Sequence, residues 1–122
     1  MKSIIILFAS MVSLAANAQS RPALIDKFYV PKAAISAFTR RMDINRKLIR
    51  TLPGFIRDNV YQQPQENGDI IVVTVAVWEN QDSINKAKEK VQAEYKRTGF
   101  NMPEFISKSG IKLERGVFSE TE

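Results

Sequence analysis

Residues 69–78 read Asp-Ile-Ile-Val-Val-Thr-Val-Ala-Val-Trp, an almost unbroken run of β-branched and aromatic side chains without glycine or proline. Such a run specifies a β-strand. The two-residue period puts Ile70, Val72, Thr74, Ala76 and Trp78 on one face and Ile71, Val73, Val75 and Val77 on the other. Both faces are apolar, so both need cover. Helices of the same chain can cover one of them, and something else must cover the second. Just upstream, Pro64-Gln65-Glu66-Asn67-Gly68 is a turn cluster whose Asn-Gly pair signals a hairpin. Phe55 to Gln63 is then its partner strand, with Ile56, Val60 and Tyr61 among Arg57, Asp58 and Asn59.

Working outward, Asn80 is suited to cap a helix, with Asp82 and Ser83 in its first turn. Ile84, Ala87, Val91 and Tyr95 continue at helical spacing to about Thr98, where Gly99 suits the stop. Phe100 to Ile106 reads as an apolar, proline-interrupted connection, and Gly110 to Ser119 as a last strand. On the other side, residues 23–30 form a first strand, and Pro31 suits the first turn of a helix. That helix runs from Lys32 to about Leu52. Ala34, Ile35, Phe38, Met42, Leu48, Ile49 and Leu52 make its apolar stripe, Asn45 is the one polar break in it, and Pro53-Gly54 ends it. The order strand, helix, strand, strand, helix, strand predicts an α+β, ferredoxin-like βαββαβ domain: a four-stranded antiparallel sheet with two helices on one face. Burying a branched side chain is worth roughly 1.5–3 kcal/mol. A second copy packed sheet to sheet, a homodimer through the open face, is therefore the expected partner.

The first eighteen residues stand apart. Lys2, the apolar run Ile4–Leu14 and Ala16-Asn17-Ala18 have the layout of a secretory signal, with cleavage expected before Gln19. The run is shorter than the roughly 20 residues a bilayer span needs, so no stable membrane insertion is expected after cleavage. Residues 19–122 are then one exported domain, periplasmic or secreted. The 122-residue chain has no cysteine, which excludes disulfides, thiolate metal sites and a cysteine nucleophile. It has no histidine, which removes the commonest metal ligand and neutral-pH proton carrier. The net charge of +5 falls by one with the signal and comes with no nucleic-acid motif, so it reads as a soluble basic surface and not as a nucleic-acid footprint.

Leu52-Pro53-Gly54-Phe55, the Asn-Gly hairpin, and Ile71–Trp78-Glu79 running into a helix resemble the antibiotic biosynthesis monooxygenase family, from about Ile25 to Phe118. The resemblance implies a dimeric α/β barrel with a pocket between sheet and helices in each subunit. It also implies one of several activities: cofactor-independent oxygenation of aromatic polyketides and quinols, haem degradation, or none known. Trp78 matches the strand-end tryptophan of the haem-degrading branch. That branch, however, uses a histidine on the second helix and an asparagine in the first strand, and this chain has neither. The oxygenase branch lets a substrate anion meet oxygen directly, so the protein supplies a dry pocket, orientation and a few polar groups.

On that reading Trp78, Tyr61 and Asn59 are the candidate catalytic residues. Arg57, Phe28, Phe38, Met42 and Thr74 are candidates for substrate binding, and no metal or other cofactor is needed. With no histidine, Tyr61 or Asp26 is the candidate proton acceptor. Each has a plainer role beside it: Trp78, Phe28, Phe38 and Met42 as core, Tyr61, Asn59 and Arg57 as solvated strand positions. Whether Trp78 and Tyr61 share a side of the sheet depends on hairpin register. Phe100, Met102, Phe105 and Ile106 are open to two readings, a lid or a loop capping the core. The alternative function is a non-catalytic exported dimer that binds a small hydrophobic or aromatic molecule. A third is a structural dimer that recognises a partner.

Overall fold

The computed structural model describes residues 21–121, so the expected export signal at 1–18 lies outside the described residues. Strand β1 (Pro22–Val30) leads through a 3-10 turn (Lys32–Ala34) into helix α1 (Ile35–Ile49); β2 (Phe55–Pro64) and β3 (Ile70–Trp78) form the hairpin; α2 (Gln81–Thr98), a short α3 (Met102–Ser109) and β4 (Lys112–Ser119) follow. The four strands make one antiparallel sheet in the order β2-β3-β1-β4, so the two sequence-distant strands β1 and β3 lie at its centre. This is the ferredoxin-like arrangement.

Local chemistry accounts for the boundaries. The Lys32 N–H donates to the Asp69 carboxylate at 2.8 Å, tying the start of α1 to the hairpin turn. The Asn80 side chain accepts from the Ser83 N–H at 2.8 Å and caps α2, and Gly99 closes it in the left-handed region at φ 73°. Helix α3 corrects the expectation of an irregular connection at 100–106. Asn101 caps it by accepting from the Glu104 N–H at 3.0 Å, and Gly110 ends it at φ 69°. Pro103 is no obstacle there, because the N–H groups of a helix's first turn have no partner within the helix. Gly54 has φ 83°, and a Cβ on it would collide with the Ser83 side chain. Its carbonyl accepts from the Glu79 N–H at 2.8 Å, so the α1–β2 turn packs directly on the entry to α2.

The helices cover one face of the sheet. Ile70, Val72, Ala76 and Trp78 of β3 are buried beneath them, together with Phe28 and Val30 of β1. The apolar interior is not continuous. One cluster gathers Phe28, Val30, Ala34, Phe38, Ile70, Val72 and Ile111, with Phe28 edge-on to Phe38 at 4.9 Å between ring centroids. The other gathers Ala76, Trp78, Ile84 and Ala87, with Phe55 edge-on to Trp78 at 5.5 Å. On the opposite face Ile71, Val73 and Val75 are only half-buried and Tyr61 and Phe118 are exposed, while Val77 near the end of β3 is buried. The third strand is therefore apolar on both sides, and its own helices shield one.

Candidate functional site

Between the two apolar clusters, the sheet register places one polar rung. Asp26 of β1 pairs with Thr74 of β3 on one side and Arg115 of β4 on the other. The next rungs on the same face are Val72, Phe28 and Leu113 in one direction, and Ala76, Leu24 and Val117 in the other. A cavity of about 460 Å³ opens over this rung, between the sheet and the inward sides of all three helices. Its apolar walls come from Leu24, Phe28, Ala76, Trp78, Ile84, Val91 and Leu113, with Met42 and Ile49 from α1 and Met102 and Ile106 from α3. The polar lining comes from Asp26, Thr74, Arg115, Asn45, Tyr95, Arg46, Asp58, Lys88 and Gln92. A wider, shallower depression of about 940 Å³ at the hairpin end is lined by Gln65, Glu66, Asn67 and Asp69 and by neighbouring strand ends. None of the charged side chains lining it is buried.

Asp26 is buried at 7% exposure, the lowest of any charged residue among the described residues, and Asp58 has a similarly enclosed side chain. Arg115 grips it with a two-pronged fork, Nε to Oδ1 at 2.6 Å and Nη2 to Oδ2 at 2.8 Å. Those hydrogen bonds hold the guanidinium above its ordinary pKa, so it stays charged. Burial pushes the Tyr95 hydroxyl up, against the opposing pull of Arg41, Asn45 and Arg115, so it remains a neutral phenol. At the cavity edge, burial raises the Asp58 carboxyl, but hydrogen bonds from Arg46 at 2.7 Å and Arg50 at 3.2 Å outweigh it and hold the group below its usual range. Two lining residues carry a fully enclosed polar atom with no hydrogen-bond partner, the indole N–H of Trp78 and Oδ1 of Asn45. The described residues contain no cluster of three or more acidic side chains able to hold a metal ion.

The residues singled out from sequence take three kinds of place. Trp78, Thr74, Phe28 and Met42 line the cavity. Phe38 sits one layer behind, edge-on to Phe28. Arg57, Asn59 and Tyr61 lie on the opposite, uncovered face, paired with Val77, Val75 and Val73, and Tyr61 is 60% exposed. They share no pocket with Trp78, and a bulge is the reason. Phe55 pairs with Trp78, yet Arg57 pairs with Val77, so Ile56 is an extra residue in β2. In a regular strand Arg57, Asn59 and Tyr61 would follow Phe55 onto the helix side. The bulge turns them away and brings Asp58 inward instead.

Of the polar groups lining the cavity, Asp26 is a candidate from the sequence, while Arg115, Tyr95 and Asn45 emerge as functional groups only in the fold. The signal for the pair was present: Asp26 interrupts the inward phase Leu24, Phe28, Val30, and Arg115 falls between the inward Leu113 and Val117.

A family model described as antibiotic biosynthesis monooxygenase matches residues 23–95. Among solved structures, the cofactor-independent oxygenase SnoaB from Streptomyces nogalater aligns at 18% identity and TM-score 0.58, covering 84% of this chain and 95% of its own. A dimeric ferredoxin-like protein from an uncultured marine organism aligns at 8% identity and TM-score 0.64, covering 84% of this chain and 97% of its own. A conserved protein from Methanosarcina mazei aligns at 12% identity and TM-score 0.66, covering 88% and 99%. At these identities the likeness is one of fold. Among curated proteins, none matches the chain in sequence.

Proposed function

The chain belongs to the antibiotic biosynthesis monooxygenase family, and from that premise we propose that it is an exported, homodimeric, cofactor-independent oxygenase of a small aromatic compound. The observation that carries this reading is the cavity. Its volume of about 460 Å³ falls inside the roughly 300–1,000 Å³ usual for small-molecule sites, and its apolar walls flank the polar rung of Asp26, Thr74 and Arg115. The structural likeness to SnoaB, described as a cofactor-independent oxygenase, supports the same chemistry. The dimer is supported by the half-buried valines of the open sheet face and by the likeness to a dimeric ferredoxin-like protein.

In this reaction an activated methylene or phenol loses a proton, and the resulting anion passes electrons directly to oxygen. One oxygen atom enters the product as a carbonyl at the attacked carbon, and the other leaves as water with two hydrogens. Both come from that carbon for a methylene, or one from it and one from the hydroxyl for a phenol. The chain's own residues then act by enclosure and orientation: the Phe28 and Trp78 ends of the pocket grip a flat ring system and exclude water. Both oxygens of Asp26 already accept hydrogen bonds from Arg115, so this carboxylate is better placed to position than to take a proton. The reading therefore favours substrates acidic enough to ionise in water. The test is oxygen uptake by the purified protein with anthrone-like phenols and quinols, with one oxygen consumed per product formed. Saturable binding without uptake would leave a binding module, and neither would leave a partner-recognising dimer. Trp78→Phe refines the assignment: unchanged turnover with only a loss of stability removes Trp78 from the site.

A further inference from the structure

Arg115 carries five N–H donors, and Asp26 engages two of them. The other three have no partner among the described residues, although the guanidinium lines the cavity and its side chain is only about half-exposed, at 49%. The carboxylate that fixes it is almost fully buried and is reached by no other cation among the described residues, so the fork is held in one orientation from behind. Around it the charges do not balance towards the negative. Asp58, the other acid of the lining, is taken up by both Arg46 and Arg50, and Lys88 stands on the rim without an acidic partner among the described residues. A cationic donor edge, preset by a buried anion and set between two apolar compartments, is a receptor for one negatively charged oxygen group on an otherwise apolar molecule.

We infer that the pocket selects flat aromatic anions, and that the unengaged N–H edge of Arg115 binds their ionised oxygen group while Asp26 positions the guanidinium. This deepens the reading of the cavity as a substrate site and rests on it. It assigns to Arg115 a specificity role, and to the ligand a charge that the apolar lining alone does not require. A carboxylate and an ionised phenol offer the same chemistry to this edge.

The experiment compares matched probes by calorimetry at neutral pH: 2-naphthoate against naphthalene-2-carboxamide, and 4-nitro-1-naphthol, ionised under these conditions, against its neutral methyl ether. Quenching of the protein's single tryptophan, Trp78, by the naphthoate and carboxamide reports that binding is in the cavity. The expected result is that each anion binds about tenfold or more tighter than its neutral counterpart, as a charge-assisted hydrogen bond predicts. Preference in only one pair identifies which oxygen group the edge accepts. Arg115→Gln should abolish the preference while leaving neutral-probe affinity within about threefold, less than the smallest effect expected of a charge-assisted bond. Because that change strands the Asp26 carboxylate and threatens folding, the double variant Asp26→Asn with Arg115→Gln, which keeps an uncharged pair at the same positions, is the second arm, with the same expectation. Equal affinity for anions and neutrals, with tryptophan quenching by both naphthalene probes, overturns the assignment and leaves the cavity as a site for neutral aromatics. A preference that survives in the double variant also overturns it. Absence of any binding would sink both this inference and the proposed site.

Discussion

Asp26 and Arg115 meet at one rung of the sheet, yet they are not equivalent partners, because one is buried and the other reaches water. Removing the arginine leaves a carboxylate with no compensating charge in the interior; removing the acid leaves a cation that solvent can reach. Arg115→Met should therefore cost about 3–5 kcal/mol. Asp26→Asn should cost only about 1.5–3 kcal/mol, the loss of charge-assisted hydrogen bonds. Urea denaturation of the two variants checks the asymmetry, and equal losses would contradict it. Asp58 supplies a second test, through pH. Its carboxyl is held below the unfolded value of about 3.8, so the stability that Arg46 and Arg50 lend is fully present above that pH and disappears as pH falls through the lower folded value. The melting-temperature gap between wild type and Asp58→Asn should be constant from pH 7 to about 5 and then close on acidification. Of the residues at this scale, Trp78, Thr74, Phe28 and Met42 were legible as pocket candidates, because strand and helix periods fix their side. Arg115 escaped because a charged residue in a terminal strand reads as solvated until the register sets it opposite Asp26.

Elements with a clean period are legible in the sequence, and those governed by a single unusual residue are not. The greasy β3, the capped α2 and the stripe of α1 follow from spacing alone. Helix α3 was hidden by Pro103, which reads as a breaker anywhere except the first turn, and by its length of 8 residues. The bulge at Ile56 has no sequence signature at all, and it decides which half of β2 faces the cavity. Helix α3 matters to the site because Met102 and Ile106 form part of the cavity wall. Asn101→Ala removes its cap and should cost about 1 kcal/mol. Because an 8-residue helix has little intrinsic stability, the loss should appear first as faster amide exchange across 102–109, ahead of global unfolding. Protection unchanged in that segment would show that packing alone holds it.

At the scale of the whole molecule, the uncovered sheet face sets the expectations for assembly. Val73 lies at its centre, flanked by Lys27 and Tyr61. Sedimentation of wild type should give twice the chain mass, and Val73→Arg should give a folded monomer, since it sets a charge against its own copy in a face-to-face pair. A wild type that stays monomeric at high concentration would refute the dimer. The divided interior has a further consequence. Two hydrophobic clusters each supply walls to the cavity between them, so a guest molecule would act as the missing keystone of a single, joined layer. The protein should therefore announce its own cognate compound: its unfolding midpoint climbs with ligand concentration, without any need to know the reaction in advance. A leucine grafted at Ala76 should mimic the guest, adding about 1 kcal/mol in its absence and blunting the response to every compound that needs the room.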